Sequence, residues 1–193
     1  RMPIVHLKYN DFPPAEQTVP GMEVITADPD LPGIAMAGNV VYAVESGMEL
    51  RLQILYPLYQ NYARTPRNDY PCIVHIHGSA WKRQDVYRRI PALCGLAGRG
   101  YVIALVEYRP SETAGFPAQI RDAKAAVRWL RRHAHQYNGD PDRIAVMGDS
   151  SGGHTALMVH LTEGIPFFEP ETDSGISDHT DGCLALYAPA DLE

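Results

Sequence analysis

Short apolar runs alternate with amphipathic stretches over the later two-thirds of the sequence. Four runs have the length and β-branched or apolar content of buried strands, at residues 72–77, 101–106, 144–147 and 183–188. The spacing of apolar positions between them predicts helices at residues 90–96, 118–137 and 155–161. Strands that alternate with helices indicate an α/β fold, with a mostly parallel sheet and helices on both faces.

The earlier part of the chain has a different pattern. Residues 39–45 and 49–56 alternate apolar and polar positions around Ser46-Gly47, which predicts an antiparallel hairpin. Residues 1–38 are rich in Pro, Asp and Gly, so we expect a loosely structured lead-in before a domain over residues 39–193. The polar composition of residues 57–71 predicts an exposed connection. A chain of 193 residues suits one domain with a substantial core.

Composition narrows the class of partner. A formal net charge of −6 argues against nucleic acid or an anionic membrane as the main partner, and no apolar run has transmembrane length. The arginines at 128, 131 and 132 are expected on a solvated helix face. Three widely separated cysteines (Cys72, Cys94 and Cys183) predict buried thiols rather than a disulfide frame or a metal site. The expectation is a cytoplasmic enzyme without cofactor.

Ser150 stands in the pattern Gly148-Asp-Ser-Ser-Gly152, between a predicted strand and a predicted helix. A serine held in such a turn needs neighbours without bulk two residues away, because the strand and the helix must pass closely. The strain lifts the hydroxyl above the sheet, and the N–H groups at the start of the helix point towards it. The pattern predicts that Ser150 is a nucleophile. A structural Gly/Ser turn is the alternative.

A second turn follows the strand at 72–77, with the sequence His77-Gly-Ser-Ala-Trp81. Both turns lie where parallel strands end, which is where ligands bind in such sheets. Ester hydrolysis needs at least two N–H donors aimed at the tetrahedral oxyanion. The backbone N–H groups of Gly78, Ser79 and Ser151 are the predicted donors. A plain strand-end turn is the alternative for this segment.

The sequence resembles α/β-hydrolase-fold esterases and lipases, in particular the hormone-sensitive lipase group and the acetyl and feruloyl esterases related to it. The matching stretches are residues 77–81, 107–110, 116–122, 126–130, 140–144, 148–153 and 187–192. The resemblance implies that Ser150 is the nucleophile, that Gly78, Ser79 and Ser151 form the oxyanion hole, and that no metal or organic cofactor is used. Trp81 and Asp149 are expected at the substrate pocket, with a sheet-edge role as the alternative for Trp81. The family usually has glycine where Ser79 stands.

Enzymes of this group place an Asp or Glu and then a His after the nucleophile, on later loops. The sequence is therefore expected to represent the N-terminal two-thirds of a hydrolase that a second segment or chain completes. Among its own histidines, His154 is expected to pack and His77 to fix the oxyanion loop. His75 is expected in the core on the face opposite His77. His179, in an acidic loop, is the remaining candidate for a base.

These features predict a serine carboxylester hydrolase that acts through an acyl-enzyme on esters with small or medium acyl groups. Two alternatives remain open. One is an amide hydrolase of the same fold, similar to arylformamidases. The other is a non-catalytic, hydrolase-like binding protein, which would need no complete triad.

Overall fold

A computed structural model describes residues 20, 21, 23, 33–58, 69–170 and 175–191. Its elements in chain order are β1 (Gly33–Glu45), β2 (Met48–Leu58), β3 (Tyr70–Ile76), α1 (Ile90–Ala97), β4 (Val102–Val106), α2 (Ala118–His133), β5 (Gly139–Asp149), α3 (Ser151–Leu161) and β6 (Gly182–Leu186). Short 3-10 helices follow α2 and α3, at Ala134–Tyr137 and Pro166–Phe168. Most of the predicted lead-in and residues 59–68 of the predicted connection lie outside the described residues.

The strands form one six-stranded sheet in the order β1-β2-β4-β3-β5-β6. The neighbours β4, β3, β5 and β6 run parallel, whereas β1 and β2 are antiparallel additions at one edge. The predicted α/β fold and the hairpin at Ser46-Gly47 are confirmed. Strand β1 begins at Gly33 rather than Asn39, because the alternation of half-buried and exposed positions continues back into the expected lead-in.

Helices cover both faces of the sheet, and each face has its own core. On one face α2 and α3 enclose a large cluster in which Val74, Ile120 and Val146 are fully or almost fully buried. On the other face α1 packs through Leu93 and Ala97 against a smaller cluster. The register places Ile76 of β3 opposite Gly148 of β5. The residues that follow these two strands therefore emerge side by side, which brings the two predicted turns together.

The prediction of a solvated arginine face on α2 is wrong for Arg128, whereas Arg131 is half-buried and Arg132 is exposed as predicted. Arg128 is buried, where its guanidinium forms ion pairs with Glu169 and Asp178. Arg131 donates to the carbonyl oxygens of Ser177 and His179. Described residues on both sides of 171–174 lie over α2, and their carboxylates and carbonyls cover part of that face. Helical periodicity alone could not reveal this cover.

The cysteines are free thiols. Cys72 is buried as predicted, and burial raises the pKa of its thiol to about 12. Cys94 and Cys183 are only half-buried. None of the described helices combines the length and apolar character needed to cross a bilayer.

Candidate active site

Ser150 occupies the turn between β5 and α3 with φ 51° and ψ −127°, in the region that a non-glycine residue rarely adopts. Its N–H donates to the Leu186 carbonyl oxygen at 2.9 Å, which ties the turn to β6. A side chain at Gly148 would overlap the Gly152 carbonyl, and one at Gly152 would overlap the Ile76 carbonyl. The predicted strained turn and its need for small neighbours are therefore present.

The loop Gly78–Trp81 lies against this turn and is held by Ser151. The Ser151 hydroxyl oxygen accepts hydrogen bonds from the N–H groups of Ser79 at 3.0 Å and of Trp81 at 3.3 Å. Both Ala80 and Trp81 have positive φ, so the loop makes a tight turn there. A Cβ at Gly78 would overlap the Asp149 carbonyl oxygen, which is why this position is glycine.

The hydrogen bonds of this loop differ from those expected of the predicted oxyanion donors. The Gly78 N–H donates to the Asp149 carboxylate at 3.2 Å, and the Ser79 N–H is the one that donates to Ser151. Within the described parts of the chain, the N–H groups of Ala80 and Ser151 have no such partner. Of the three predicted N–H donors, only that of Ser151 is therefore available. The Ala80 N–H, which was not predicted, is available as well. Spacing could not show which N–H groups a side chain occupies.

Tyr108 is a supporting residue that sequence reasoning missed. Its ring is fully buried, and its hydroxyl donates to the His77 carbonyl oxygen at 2.9 Å while lying 3.0 Å from the Ser79 hydroxyl. Burial raises the pKa of the Tyr108 phenol, so it remains a donor at neutral pH. The available signal was a polar aromatic residue just after β4, at the same end of the sheet as the two turns.

Asp149 forms the centre of a buried polar network on the α1 side of the sheet. Its carboxylate accepts from Arg89 at 2.6 Å and from the Tyr187 hydroxyl at 3.0 Å, in addition to Gly78. Burial alone would raise the pKa of Asp149, but the hydrogen bonds from Gly78, Tyr187 and Arg89 outweigh it and hold the pKa below its usual value. The structure places Asp149 in this network rather than on the wall of the cavity described next.

A cavity of about 170 Å³ lies on the other face of the sheet, beside the first turns of α3. Its lining residues are Trp81, Ser111, Phe116, Gln119, Ile120, His154 and Thr155. The Trp81 indole N–H donates to the Thr155 hydroxyl at 3.3 Å, and the ring meets the His154 imidazole edge-on with centroids 5.5 Å apart. The expected packing role of His154 is confirmed. Burial lowers the pKa of His154, so this wall carries no charge at neutral pH.

The structure corrects two expectations about the other histidines. His75 lies on the same face as His77, since residues two apart in a strand share a face, and both rings approach the Asp149 carboxylate, at 3.9 and 3.5 Å. His179 pairs with Glu163 at 2.8 Å, beyond the far end of α3. The helix between Ser150 and Glu163 spans about 16 Å, so His179 is not a base for Ser150. Across the described residues, no histidine side chain is hydrogen-bonded to Ser150.

Comparison with known proteins identifies the family of this chain. Residues 58–193 match the BD-FAE family. The probable carboxylic ester hydrolase LipM of Mycobacterium tuberculosis is 36% identical over 104 residues, which cover 52% of this chain and 23% of LipM. Carboxylesterase NlhH of the same organism is 31% identical over 148 residues, which cover 64% of this chain and 46% of NlhH.

Solved esterases share the fold. Esterase 2 of Thermogutta terrifontis superposes with a TM-score of 0.62 at 30% identity, over 80% of this chain and 55% of that one. A truncated carbohydrate esterase from gut microbiota gives a TM-score of 0.70 at 30% identity, over 84% of this chain and 59% of that one. The chain thus spans between about a quarter and three-fifths of the length of these four relatives. The family match over most of the chain and the shared fold lead to one conclusion: this chain belongs to the BD-FAE family of α/β-hydrolase-fold proteins.

Proposed function

We propose that this chain carries the nucleophile and oxyanion hole of a serine carboxylester hydrolase. The observation that carries the proposal is Ser150 in a strained turn, followed directly by Ser151, whose hydroxyl holds the loop that contains Ala80. The N–H groups of Ala80 and Ser151 have no hydrogen-bond partner within the described residues. Preorganised N–H donors of this kind stabilise the oxyanion of an acyl-transfer intermediate. The named relatives are esterases, which supports the same reaction class.

The reaction then proceeds in two steps. The Ser150 hydroxyl oxygen attacks the ester carbonyl carbon, its proton passes to a base, and the bond to the alcohol breaks as the alcohol leaves with that proton. Water attacks the acyl-enzyme, releases the acid and restores Ser150. The base comes from outside the described residues, because none of their histidines reaches Ser150.

The cavity beside α3 supports the proposal of small or medium acyl or alcohol groups. A volume of about 170 Å³ with uncharged, largely apolar walls holds a short chain and excludes a long one. With imidazole added as the base, and after subtraction of the rate with Ser150→Ala, acylation of Ser150 is therefore expected to be faster with p-nitrophenyl acetate and butyrate than with the laurate. A laurate rate equal to the acetate rate would contradict this assignment of the cavity.

The test of the proposed function is covalent labelling of Ser150 with a fluorophosphonate, located by peptide mass spectrometry. Labelling forms the Oγ–P bond, breaks the P–F bond and releases fluoride, with the serine proton taken by a base. Imidazole added at increasing concentration supplies that base in solution. We expect labelling that depends on Ser150 and is absent in Ser150→Ala.

Ser177→Ala, at an exposed serine far from the turn, is the matched control and should label as the wild type does. Absence of Ser150 labelling at every imidazole concentration would overturn the proposal and favour a hydrolase-like binding protein.

A further inference from the structure

We propose that Asp149 is a positioning residue that fixes the Gly78–Trp81 loop in register with Ser150, and that Arg89 and Tyr187 hold Asp149 in place. The catalytic consequence rests on the proposed function, whereas the positioning itself does not. The four groups Asp149, Arg89, Tyr187 and the Gly78 N–H are called the elbow network below.

The network joins four parts of the fold at a single carboxylate. Asp149 is the last residue of β5, Gly78 follows β3, Arg89 immediately precedes α1, and Tyr187 follows β6. One carboxylate oxygen accepts from Gly78 and lies 3.5 Å from the His77 Nδ1, and the other accepts from both Arg89 and Tyr187. Displacement of any one of these segments therefore strains a hydrogen bond to the residue that precedes Ser150.

Burial makes the carboxylate dependent on these donors. The Asp149 side chain is 8% exposed, and a buried carboxylate is stable only when hydrogen bonds or a countercharge replace water. Arg89, whose side chain is 39% exposed, supplies the permanent positive charge at 2.6 Å. His75 does not supply it at neutral pH, because burial lowers the pKa of His75 to about 4.

Asp149 connects the elbow network to the candidate oxyanion donors. The backbone of Asp149 leads directly into the strained Ser150, and its side chain holds the first N–H of the loop that presents Ala80. Asp149 therefore affects the positions of both Ser150 and the loop that contains Ala80. Shifts of about 1 Å between a nucleophile and its oxyanion donors lower rates strongly.

The first measurement is amide hydrogen exchange by NMR in wild-type protein, Asp149→Ala and Asp149→Asn. Asp149→Ala removes the acceptor, so exchange at the Gly78 amide should become about tenfold faster while the core of β3 and β5 keeps its protection. Asp149→Asn retains an acceptor oxygen and loses the charge, so it should give a smaller increase. Tyr187→Phe removes one donor from a side chain that is 72% exposed, keeps the fold, and should give the smallest increase.

The second measurement is fluorophosphonate labelling of Ser150 in the same variants, with imidazole present. In Asp149→Ala the Gly78–Trp81 loop should lose its fixed position relative to Ser150. The maximal labelling rate should therefore fall by about 100-fold, while the probe concentration that gives half of that rate changes little. Asp178→Ala removes a different buried carboxylate, near the far end of α3, and serves as the control for lost stability alone.

The outcomes separate the two proposals. Unchanged Gly78 exchange in a folded Asp149→Ala or Tyr187→Phe protein would overturn the positioning role. An equal change in Asp178→Ala would also overturn it, since the effect would then be one of global stability. If Ser150 is never labelled in wild-type protein, the proposed function fails, while the Gly78 exchange rates still decide whether Asp149 positions the loop.

Discussion

Two polar networks, each built around a buried carboxylate, lie near opposite ends of α3 and behave differently. The elbow network surrounds Asp149 at the N-terminal end. The loop network, near the C-terminal end, consists of Lys124, Arg128, Glu169 and Asp178. Lys124 is fully buried, and its ammonium group donates to the Thr162 carbonyl at 2.6 Å and lies 2.8 Å from both carboxylates.

The two networks share chemistry and differ in what they hold. The loop network ties Glu169 and Asp178, which lie between α3 and β6, to Lys124 and Arg128 of α2 through ion pairs. The elbow network binds a backbone N–H next to a strained serine, and two neighbouring N–H groups of the described chain stay free. Buried charge by itself therefore does not identify a functional site. The feature that supports the proposed site is the strained serine together with N–H groups that have no partner among the described residues.

The largest expected effect tests the steric basis of the elbow. In Gly152→Ala the new methyl group would overlap the Ile76 carbonyl oxygen, which belongs to the backbone and cannot rotate away. We expect a loss of about 5 kcal/mol in the free energy of unfolding or failure to fold, measured by urea denaturation. Gly175→Ala, where a Cβ meets nothing within 4 Å, is the control. A stable Gly152→Ala protein would contradict the close approach of α3 to β3.

Removing the loop network's central charge should have the next largest effect on stability. Lys124→Met leaves the carboxylates of Glu169 and Asp178 with less positive charge near them in a buried environment. The free energy of unfolding, measured by urea denaturation, should therefore fall by about 3 to 5 kcal/mol. The labelling rate of Ser150 in the folded fraction should not change, in contrast to Asp149→Ala. Lys82→Met, at an exposed lysine, should stay within about 0.5 kcal/mol of wild type. A slower labelling rate in folded Lys124→Met would show that the two networks are coupled.

The pH dependence of the free energy of unfolding should distinguish the contribution of His75 from those of Asp149 and Asp178. Burial lowers the pKa of His75 in the folded protein from 6.5 to about 4. Between these two pH values the unfolded chain therefore binds a proton at His75 and the folded chain does not. Stability contributed by neutral His75 is present above pH 6.5 and falls by about 3 kcal/mol as the pH drops towards 4.

His75→Gln should flatten the stability curve in this window, as measured by chemical denaturation at several pH values. Asp149 and Asp178, whose folded pKa values are lowered, lose their contribution only as the pH falls below the ordinary carboxyl value of 3.8. Equal slopes in wild type and His75→Gln between pH 6.5 and 4 would contradict the burial of a neutral His75.

The smallest effect concerns the wall of the cavity. Thr155→Val keeps the side-chain volume but removes the acceptor of the Trp81 indole N–H at 3.3 Å, together with the bond that the hydroxyl donates to the Ser151 carbonyl oxygen at 3.0 Å. We expect a cost of about 1 kcal/mol in unfolding free energy and a shift in Trp81 fluorescence, with Trp129→Phe in the background to isolate that signal. No spectral shift would mean that the indole N–H has another partner in solution.

Local sequence signals predicted the parts of the site that depend on backbone sterics. The glycines at 148 and 152 mark a turn that only small residues permit, and apolar runs before them mark strands that end at the same edge. These local signals do not identify the partner of Arg109. In the structure that partner is Asp122, whose carboxylate accepts hydrogen bonds from the Arg109 guanidinium at 2.6 Å and from the Arg109 N–H at 2.9 Å.

The tertiary structure decided which polar groups meet. Arg89 and Tyr187 are 98 positions apart in the chain, and both reach Asp149 only because α1 and the end of β6 converge on one edge of the sheet. The use of the Gly78 N–H by Asp149, and the burial of Arg128 under the returning loop, depend on the same convergence. Sequence periods report which face of an element is apolar. They carry no information about which distant side chain completes a hydrogen bond, and those bonds determine which donors remain free.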